Sequence, residues 1–138
     1  GMLAAMVLGA DGVQVGSRFA ASVESSAHEN FKNKIIETQE GGTQLTLKEL
    51  APVRLIKNKF YQDVQELYSK CPTKEELSAL LGRARAKHGM FEGDLDEGEL
   101  EIGQIAGLIH DVKPAAEIIV EMIADFEQAR KEVNKFDF

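Results

Sequence analysis

Cysteine is almost absent from this chain, since Cys71 is the only one among 138 residues. A single cysteine excludes an intrachain disulfide and any metal site built from several thiolates. It is typical of a protein from a reducing compartment, so we expect a cytoplasmic protein. The residues around Cys71 contain nothing that would activate a thiol, and we predict no nucleophile there.

The chain also lacks an excess of positive charge and a long apolar run. Lysine and arginine total 16 against 23 aspartate and glutamate, which gives a net charge of −7. A nucleic-acid binder normally presents a basic face, so we predict no nucleic-acid partner. The apolar stretch MLAAMVLGA is shorter than the ~18 residues of a membrane span and has no basic region before it. We therefore predict neither a membrane segment nor a signal peptide.

Helical periodicity is the main pattern that is present. The length suggests one domain, and 43% hydrophobic residues suffice for a core. Start signals and apolar spacing predict a mostly α-helical chain, with helices over 2–9, 26–40, 52–70, 73–88 and 114–133 and a further helical stretch over 100–110. Two short strands are predicted, 12–15 and 43–50. A strand needs hydrogen-bond partners on its edges, and the run at 12–15 has no obvious neighbour in this chain.

The stretch GADGVQVGSRF, residues 9–19, has the composition of a phosphate-binding turn. A short β-prone run ends in Gly16, Ser17 follows, and a helix begins. Gly16 would let the backbone approach a ligand closely, Ser17 offers N–H and O–H donors, and a helix N-terminus favours an anion. A plain strand-to-helix turn has the same spacing, so both interpretations stay open at this point.

The order of the motifs is more informative than any one of them. An alanine-rich helix ends in LGADGVQVGSRF, and APVRLIKNKF, EGDLDEGELEIGQIAGLI and a helix opened by Pro114 follow in turn. In this order the chain resembles the C-terminal part of the flavin-dependent family that contains nitronate monooxygenases (2-nitropropane dioxygenases) and flavin-type enoyl-acyl-carrier-protein reductases. The resemblance covers nearly all of the chain and is weakest over 68–92.

Members of that family are TIM barrels that bind FMN, so the resemblance implies a C-terminal fragment of an FMN-binding (β/α)8 barrel. Residues 2–24 correspond to the last helix–strand–helix portion of the barrel, with 12–15 as the last strand and the phosphate-binding turn at its end. Residues 25–138 correspond to a C-terminal helical region. A truncated reading frame, one half of a split gene and a relic gene all remain open as the origin of such a chain.

The resemblance also implies cofactor-binding residues at two places in the chain. The first group, which would hold the FMN phosphate, is Gln14, Val15, Gly16 and Ser17. The second group, which would lie near the flavin, is Gly103 and Gln104. The family usually has threonine where this chain has Ser17, and both residues carry a hydroxyl.

The resemblance assigns no catalytic residue to this chain. The family's catalytic histidine lies upstream of the part that the chain matches, and none of His28, His88 and His110 falls on that position. These three histidines also lack the spacing of metal ligands, so we predict no metal site. The acidic run EGDLDEGELE lacks the order of ligands in a calcium loop and is predicted to be a solvated loop.

We predict structural roles for the arginines near these motifs. We predict that Arg18 lies at the surface or packs on a helix rather than binding an anion. In the PVRLIKN stretch, Arg54, Lys57 and Asn58 are predicted to cap and pair within the helical region rather than to meet an acidic carrier.

Two functions follow as alternatives. The first is an FMN-dependent oxidoreductase of the nitronate monooxygenase or enoyl-acyl-carrier-protein reductase type, with NAD(P)H as reductant, present as a C-terminal fragment without its catalytic residues. The second is a non-catalytic helical oligomerisation or interaction protein derived from that family. Apolar stripes on the 53–70 and 114–133 helices predict a homo-oligomer. The missing barrel portion is a further expected partner if the gene is split.

Overall fold

The computed structural model describes residues 1–135, and the last three residues of the predicted helical region 25–138 lie outside this range. About half of the chain is helical, which confirms the mainly α character. The helices are α1 (Met2–Val7), α2 (Ser17–Ala20), α3 (Glu29–Glu37), α4 (Lys59–Tyr68), α5 (Lys74–Leu81), α6 (Arg85–Met90), a 3₁₀ helix (Gln104–Leu108) and α7 (Ala115–Val133). The two strands are β1 (Thr43–Thr46) and β2 (Val53–Ile56).

The predicted strand at 12–15 does not form. These residues adopt neither helix nor strand, and the backbone groups of residues 11–15 make no hydrogen bond within residues 1–135. A β-prone sequence becomes a strand only where a neighbouring strand supplies partners for its N–H and C=O groups. None of the described residues supplies them here.

The helix predicted from Pro52 to residue 70 is wrong in its first half. Residues 53–56 form β2 instead, and α4 begins only after Asn58. The Asn58 side chain accepts a hydrogen bond from the N–H of Tyr61, which is an N-cap, while Val53 and its neighbours pair with other segments. Tertiary pairing therefore overrides the apolar spacing that suggested one continuous helix.

The other predicted helix boundaries are confirmed in part. Thr73 and Glu76 form the expected capping box of α5, but this helix ends before Gly82, whose φ of 66° leaves helical geometry. The chain becomes helical again only at Arg85. The helix predicted to be capped by Ser26 begins later, because His28 caps α3 by accepting a hydrogen bond from the N–H of Asn30.

β2 lies in the middle of a small three-part sheet. β1 pairs with β2 antiparallel, with Thr43 opposite Ile56 and Thr46 opposite Val53. On the other edge of β2, Ile56 donates to the carbonyl of Leu100 at 3.0 Å, and Ile102 donates to the carbonyl of Arg54 at 3.1 Å. Residues 100–102 thus act as a short third strand, which fixes the position of Gly103.

The sheet separates two apolar cores. Consecutive residues of a strand face opposite sides, so Leu55 and Ile56 enter different clusters. Leu55 belongs to the cluster of Leu47, Leu55, Phe60, Val64 and Leu77. Ile56 belongs to the cluster of Ala21, Phe31, Ile35, Ile56, Leu100, Ile102, Ala106 and Ile109.

Helix α7 packs against α1 but contributes little to either core. Ile118 is its one buried residue among those described, whereas Ile119, Val120, Ile123 and Val133 are all about half exposed or more. The apolar spacing of this helix therefore predicts its helicity well, but most of that apolar side lies at the surface. Among residues 1–135, no helix combines the length and apolar content needed to cross a bilayer.

Candidate functional site

The turn at Gly16 and Ser17 meets Gly103, although the two segments are far apart in sequence. The Ser17 hydroxyl accepts a hydrogen bond from the N–H of Gly103 at 3.0 Å. A Cβ added at Gly103 would lie 2.6 Å from Ser17 Oγ, so a side chain there would push this hydroxyl away. The close approach explains why the GQ stretch begins with glycine.

An open cavity of about 490 Å³ lies at this junction. Its walls come from the start of α2, from the start of β2 and from the third strand segment: Gly16, Ser17, Ala20, Pro52, Val53, Arg54, Glu101, Ile102 and Gly103. Three of the six sequence-predicted cofactor residues, Gly16, Ser17 and Gly103, therefore share one cavity.

The donors at the start of α2 suit an oxyanion such as a phosphate. Within residues 1–135, the N–H groups of Ser17 and Arg18 have no hydrogen-bond acceptor, because they lie in the first turn of the helix. The Ser17 hydroxyl accepts from Gly103, so its own proton remains available for a ligand. A Cβ at Gly16 would meet no protein atom within 4 Å, so this backbone is open to close approach. The residues present fit a phosphate group, with Glu101 as the one carboxylate in the wall.

The other three predicted residues do not line this cavity. Gln14 is exposed, and Gln104 is an exposed residue at the start of the 3₁₀ helix. Val15 lies in an apolar groove with Phe19 and Met122 on the α1–α7 side of the molecule. The structure therefore brings together three of the six residues, and the cofactor-binding role of all six stays a prediction.

Both arginines near the cavity are engaged with protein groups. Arg18 donates to the backbone carbonyl of Asp111 at 2.9 Å and also pairs with its carboxylate. The hydrogen bond from Lys113, followed by the charge of Arg18, lowers the pKa of Asp111 from its usual value. Arg54 donates through Nη1 to the carbonyl and the hydroxyl of Thr43. Arg18 thus contacts protein groups, whereas the prediction that Arg54 pairs within a helical region is wrong, because Arg54 lies in β2 and bonds to β1.

A buried carboxyl lies two residues before Glu101 in the same segment. Glu99 is 6% exposed. Burial and then the nearby charge of Glu101 raise its pKa to about 7, although Arg85 acts in the opposite direction. Glu99 is absent from the cavity wall, so it affects stability rather than ligand contact.

Sequence reasoning missed the part of the wall formed by Pro52, Val53, Glu101 and Ile102. The strand pattern at these positions is weak, since each stretch is too short to be predicted as a strand from the sequence. Only their pairing with each other brings them to Gly16 and Ser17. The histidines have other roles: His28 caps α3, and His88 pairs with Glu92. The part of the chain described here holds no group of three His, Cys, Asp or Glu side chains suited to a metal ion.

Comparison with protein families gives a match over most of the chain. The family model described as nitronate monooxygenase matches residues 1–125. The chain belongs to the nitronate monooxygenase family. This confirms the resemblance inferred from the order of the sequence motifs.

Individual relatives agree with this assignment. A nitronate monooxygenase from Neurospora crassa is 28% identical over 99% of this chain, and a probable nitronate monooxygenase from Staphylococcus saprophyticus is 30% identical over 98%. The structure of FabK from Thermotoga maritima matches 96% of this chain with a TM-score of 0.84 and 34% identity. The chain spans 37% of the length of each of the two sequence relatives and 42% of that FabK chain.

Proposed function

We propose that this chain forms the phosphate-binding part of an FMN site in an oxidoreductase of the nitronate monooxygenase or enoyl-acyl-carrier-protein reductase type. The observation that supports this most directly is the shared cavity of Gly16, Ser17 and Gly103. Membership of the family supports an oxidoreductase in general, whereas the flavin, the substrate and NAD(P)H as reductant belong to the proposal. When bound, FMN supplies hydride or electron transfer, and the protein supplies position and electrostatics.

Four residues at this junction have a definite part in this proposal. The backbone N–H groups of Ser17 and Arg18 and the Ser17 hydroxyl donate to phosphate oxygens. Gly16 allows the phosphate to come close to the backbone. Gly103 holds the Ser17 hydroxyl in place from the other side. We assign no catalytic residue to the described part of the chain.

Such a site is expected to bind FMN weakly without further contacts. Hydrogen bonds to a charged group contribute about 1.5–3 kcal/mol each. The loss of translational and rotational freedom costs ~4 kcal/mol or more. Two or three bonds total about 3–9 kcal/mol, so the net gain is at most about 5 kcal/mol. The dissociation constant is therefore expected to be no tighter than a few tenths of a millimolar. Contacts to the flavin ring would have to come from another part of the complete site.

An FMN titration, followed by quenching of flavin fluorescence, tests this proposal with a matched pair of variants. Gly16→Leu fills the cavity, whereas Gly12→Leu adds the same side chain at a glycine that also has open space around it but does not line the cavity. We expect saturable binding that inorganic phosphate competes away, lost in Gly16→Leu and kept in Gly12→Leu. Equal binding by both variants, or no quenching by the folded wild-type chain, would contradict the proposal.

A second function is favoured by the apolar surface of α1 and α7. Several large apolar side chains are exposed on these two elements. They are Met6, Val7 and Leu8 in and directly after α1, and Val120 and Ile123 on α7. Exposed apolar groups of this extent are typical of an interaction surface. We propose as the alternative that the chain forms a homo-oligomer or a complex with the barrel portion that relatives carry. In either case we propose a cytoplasmic location, because an exposed lone thiol suits a reducing compartment.

A further inference from the structure

Glu101 places a negative charge in the wall of the candidate phosphate cavity. Its side chain is half-buried, and within residues 1–135 it forms no ion pair. A half-buried carboxylate without a cation beside it loses part of its solvation and gains no attraction in return. We therefore expect this charge to affect which anions the cavity accepts.

The side chain of Glu101 leaves its strand segment on the side where the Ser17 hydroxyl lies. Side chains two residues apart in an extended segment point to the same side, with about 7 Å between their Cα atoms. Glu101 and Gly103 are related in this way, and the backbone of Gly103 is extended. A Cβ at Gly103 would lie 2.6 Å from Ser17 Oγ. Glu101 and the Ser17 hydroxyl therefore share one side of this segment as well as one cavity.

Neither arginine near the cavity neutralises this carboxylate. Leu55 lies opposite Glu101 in a non-hydrogen-bonded antiparallel pair, so these two side chains share one face of the sheet. Arg54 belongs to the cavity wall, but it precedes Leu55 in the strand and points to the other face, where it donates to Thr43. Arg18 is paired with a carboxylate outside the cavity. The cavity thus combines neutral donors with one uncompensated negative charge.

Neutral donors beside a carboxylate suit a ligand with a single phosphate group. Such a phosphate binds to the N–H groups of Ser17 and Arg18, and Glu101 lies a short distance along the wall. A second phosphate would be repelled by Glu101. At about 7 Å the repulsion of two unit charges weakens binding by about threefold in water and by about fiftyfold near a protein surface. A hydroxyl group in the same place would instead donate to the carboxylate.

We propose that Glu101 is a specificity-determining residue, which restricts the cavity to the phosphate of a monophosphate ester and rejects a diphosphate. Hydroxyl groups in the alcohol part of the ester donate to the Glu101 carboxylate. This inference rests on the proposed phosphate site and adds the class of ligand to it. FMN, with one phosphate, is accepted, whereas FAD, which carries a diphosphate, is rejected.

Titration followed by NMR tests this proposal on the whole chain, with inorganic phosphate and pyrophosphate as probes. The amide signals of Ser17 and Gly103 report the occupancy of the cavity itself. Glu101→Gln removes the charge at nearly constant shape, and Glu40→Gln removes the same charge at an exposed site outside the cavity wall. At pH 8 the neighbouring Glu99, whose pKa is about 7, is ionised in all three proteins. The dispersion of the amide signals establishes that each variant is folded.

We expect the wild type to bind phosphate about tenfold more tightly than pyrophosphate, and Glu101→Gln to lose most of this preference. Glu40→Gln should keep the preference, and FMN and FAD should follow the same order as the two inorganic anions. Equal selectivity of Glu101→Gln and the wild type would overturn the proposal and leave the phosphate site in place. Pyrophosphate binding by the wild type as tight as phosphate binding would do the same. If neither anion shifts the Ser17 and Gly103 signals, the phosphate site itself is wrong and this inference falls with it.

Discussion

The Ser17 hydroxyl and the Gly103 N–H form a hydrogen bond of 3.0 Å across 86 residues of chain. This bond joins the first residue of α2 to the residue that follows the third strand segment. It sets the spacing of two walls of the candidate phosphate cavity. A glycine is needed at one end of the bond and a hydroxyl at the other, so the two residues depend on each other.

A double-mutant cycle at these two residues should be strongly non-additive. Ser17→Ala leaves the Gly103 N–H without its partner and is expected to cost ~1 kcal/mol. Gly103→Ala places a Cβ 2.6 Å from Ser17 Oγ and should cost at least as much. In the double variant that clash is absent, because the nearest remaining Ser17 atom, Cβ, is 3.8 Å away. Urea unfolding of the four proteins measures the coupling, and simple additivity would show that the two residues act independently.

Asn58 should be more sensitive to aspartate than to alanine. Its Nδ2 reaches the carbonyls of Leu95, Asp96 and Gly98 at 2.8–3.1 Å, while its Oδ1 caps α4. Asn58→Ala loses these bonds and is expected to cost ~2–4 kcal/mol. Asn58→Asp keeps the cap but places a buried negative charge against three carbonyl oxygens, so it should cost more.

Chemical denaturation of both Asn58 variants at neutral pH tests this order. Asn134→Asp is a suitable control, because it makes the same change at an exposed position at the end of α7. An Asn58→Asp protein more stable than Asn58→Ala would show that capping outweighs the contacts to the loop.

The stability of the chain should fall as pH rises from about 4.5 to 7, because of Glu99. Burial raises the pKa of Glu99 in the folded state to about 7, above the ordinary value of 4.5. In this interval the folded state holds a proton that the unfolded state has lost, so each increase in pH favours unfolding. Above pH 7 both states are ionised and the contribution becomes constant.

Glu99→Gln tests the origin of that slope, since glutamine resembles the protonated acid. We expect the variant to lose stability less steeply between pH 4.5 and 7 and to be more stable than the wild type at pH 8. Glu40→Gln, at an exposed site, serves as the control. Thermal melts across this pH range provide the comparison, and identical slopes for the wild type and Glu99→Gln would refute the assignment.

Self-association, if it uses the surface of α7, should be sensitive to charge on that helix. Val120 and Ile123 are 67% and 54% exposed. Val120→Glu and Ile123→Glu should shift sedimentation toward the monomer, because a carboxylate cannot be buried cheaply at an interface. Leu108→Glu, at a site 72% exposed on the 3₁₀ helix, should leave association unchanged. Loss of association in Leu108→Glu alone would locate the interface elsewhere.

The sequence by itself determined the local features of this protein. The Thr73–Glu76 capping box, the helix after Pro114 and the turn at Gly16 and Ser17 are all set by residues close together in the chain. The order of its motifs also gave the family. These predictions succeed because capping and backbone conformation depend on near neighbours.

Only the tertiary structure decided where strands form and what surrounds the cavity. Val53–Ile56 has helical spacing but becomes β2, because Thr43–Thr46 and residues 100–102 supply hydrogen bonds on both of its edges. Residues 12–15 have strand composition but stay irregular, since no described segment pairs with them. A strand is stabilised by partners that are distant in sequence, and its residues alone do not reveal whether those partners arrive.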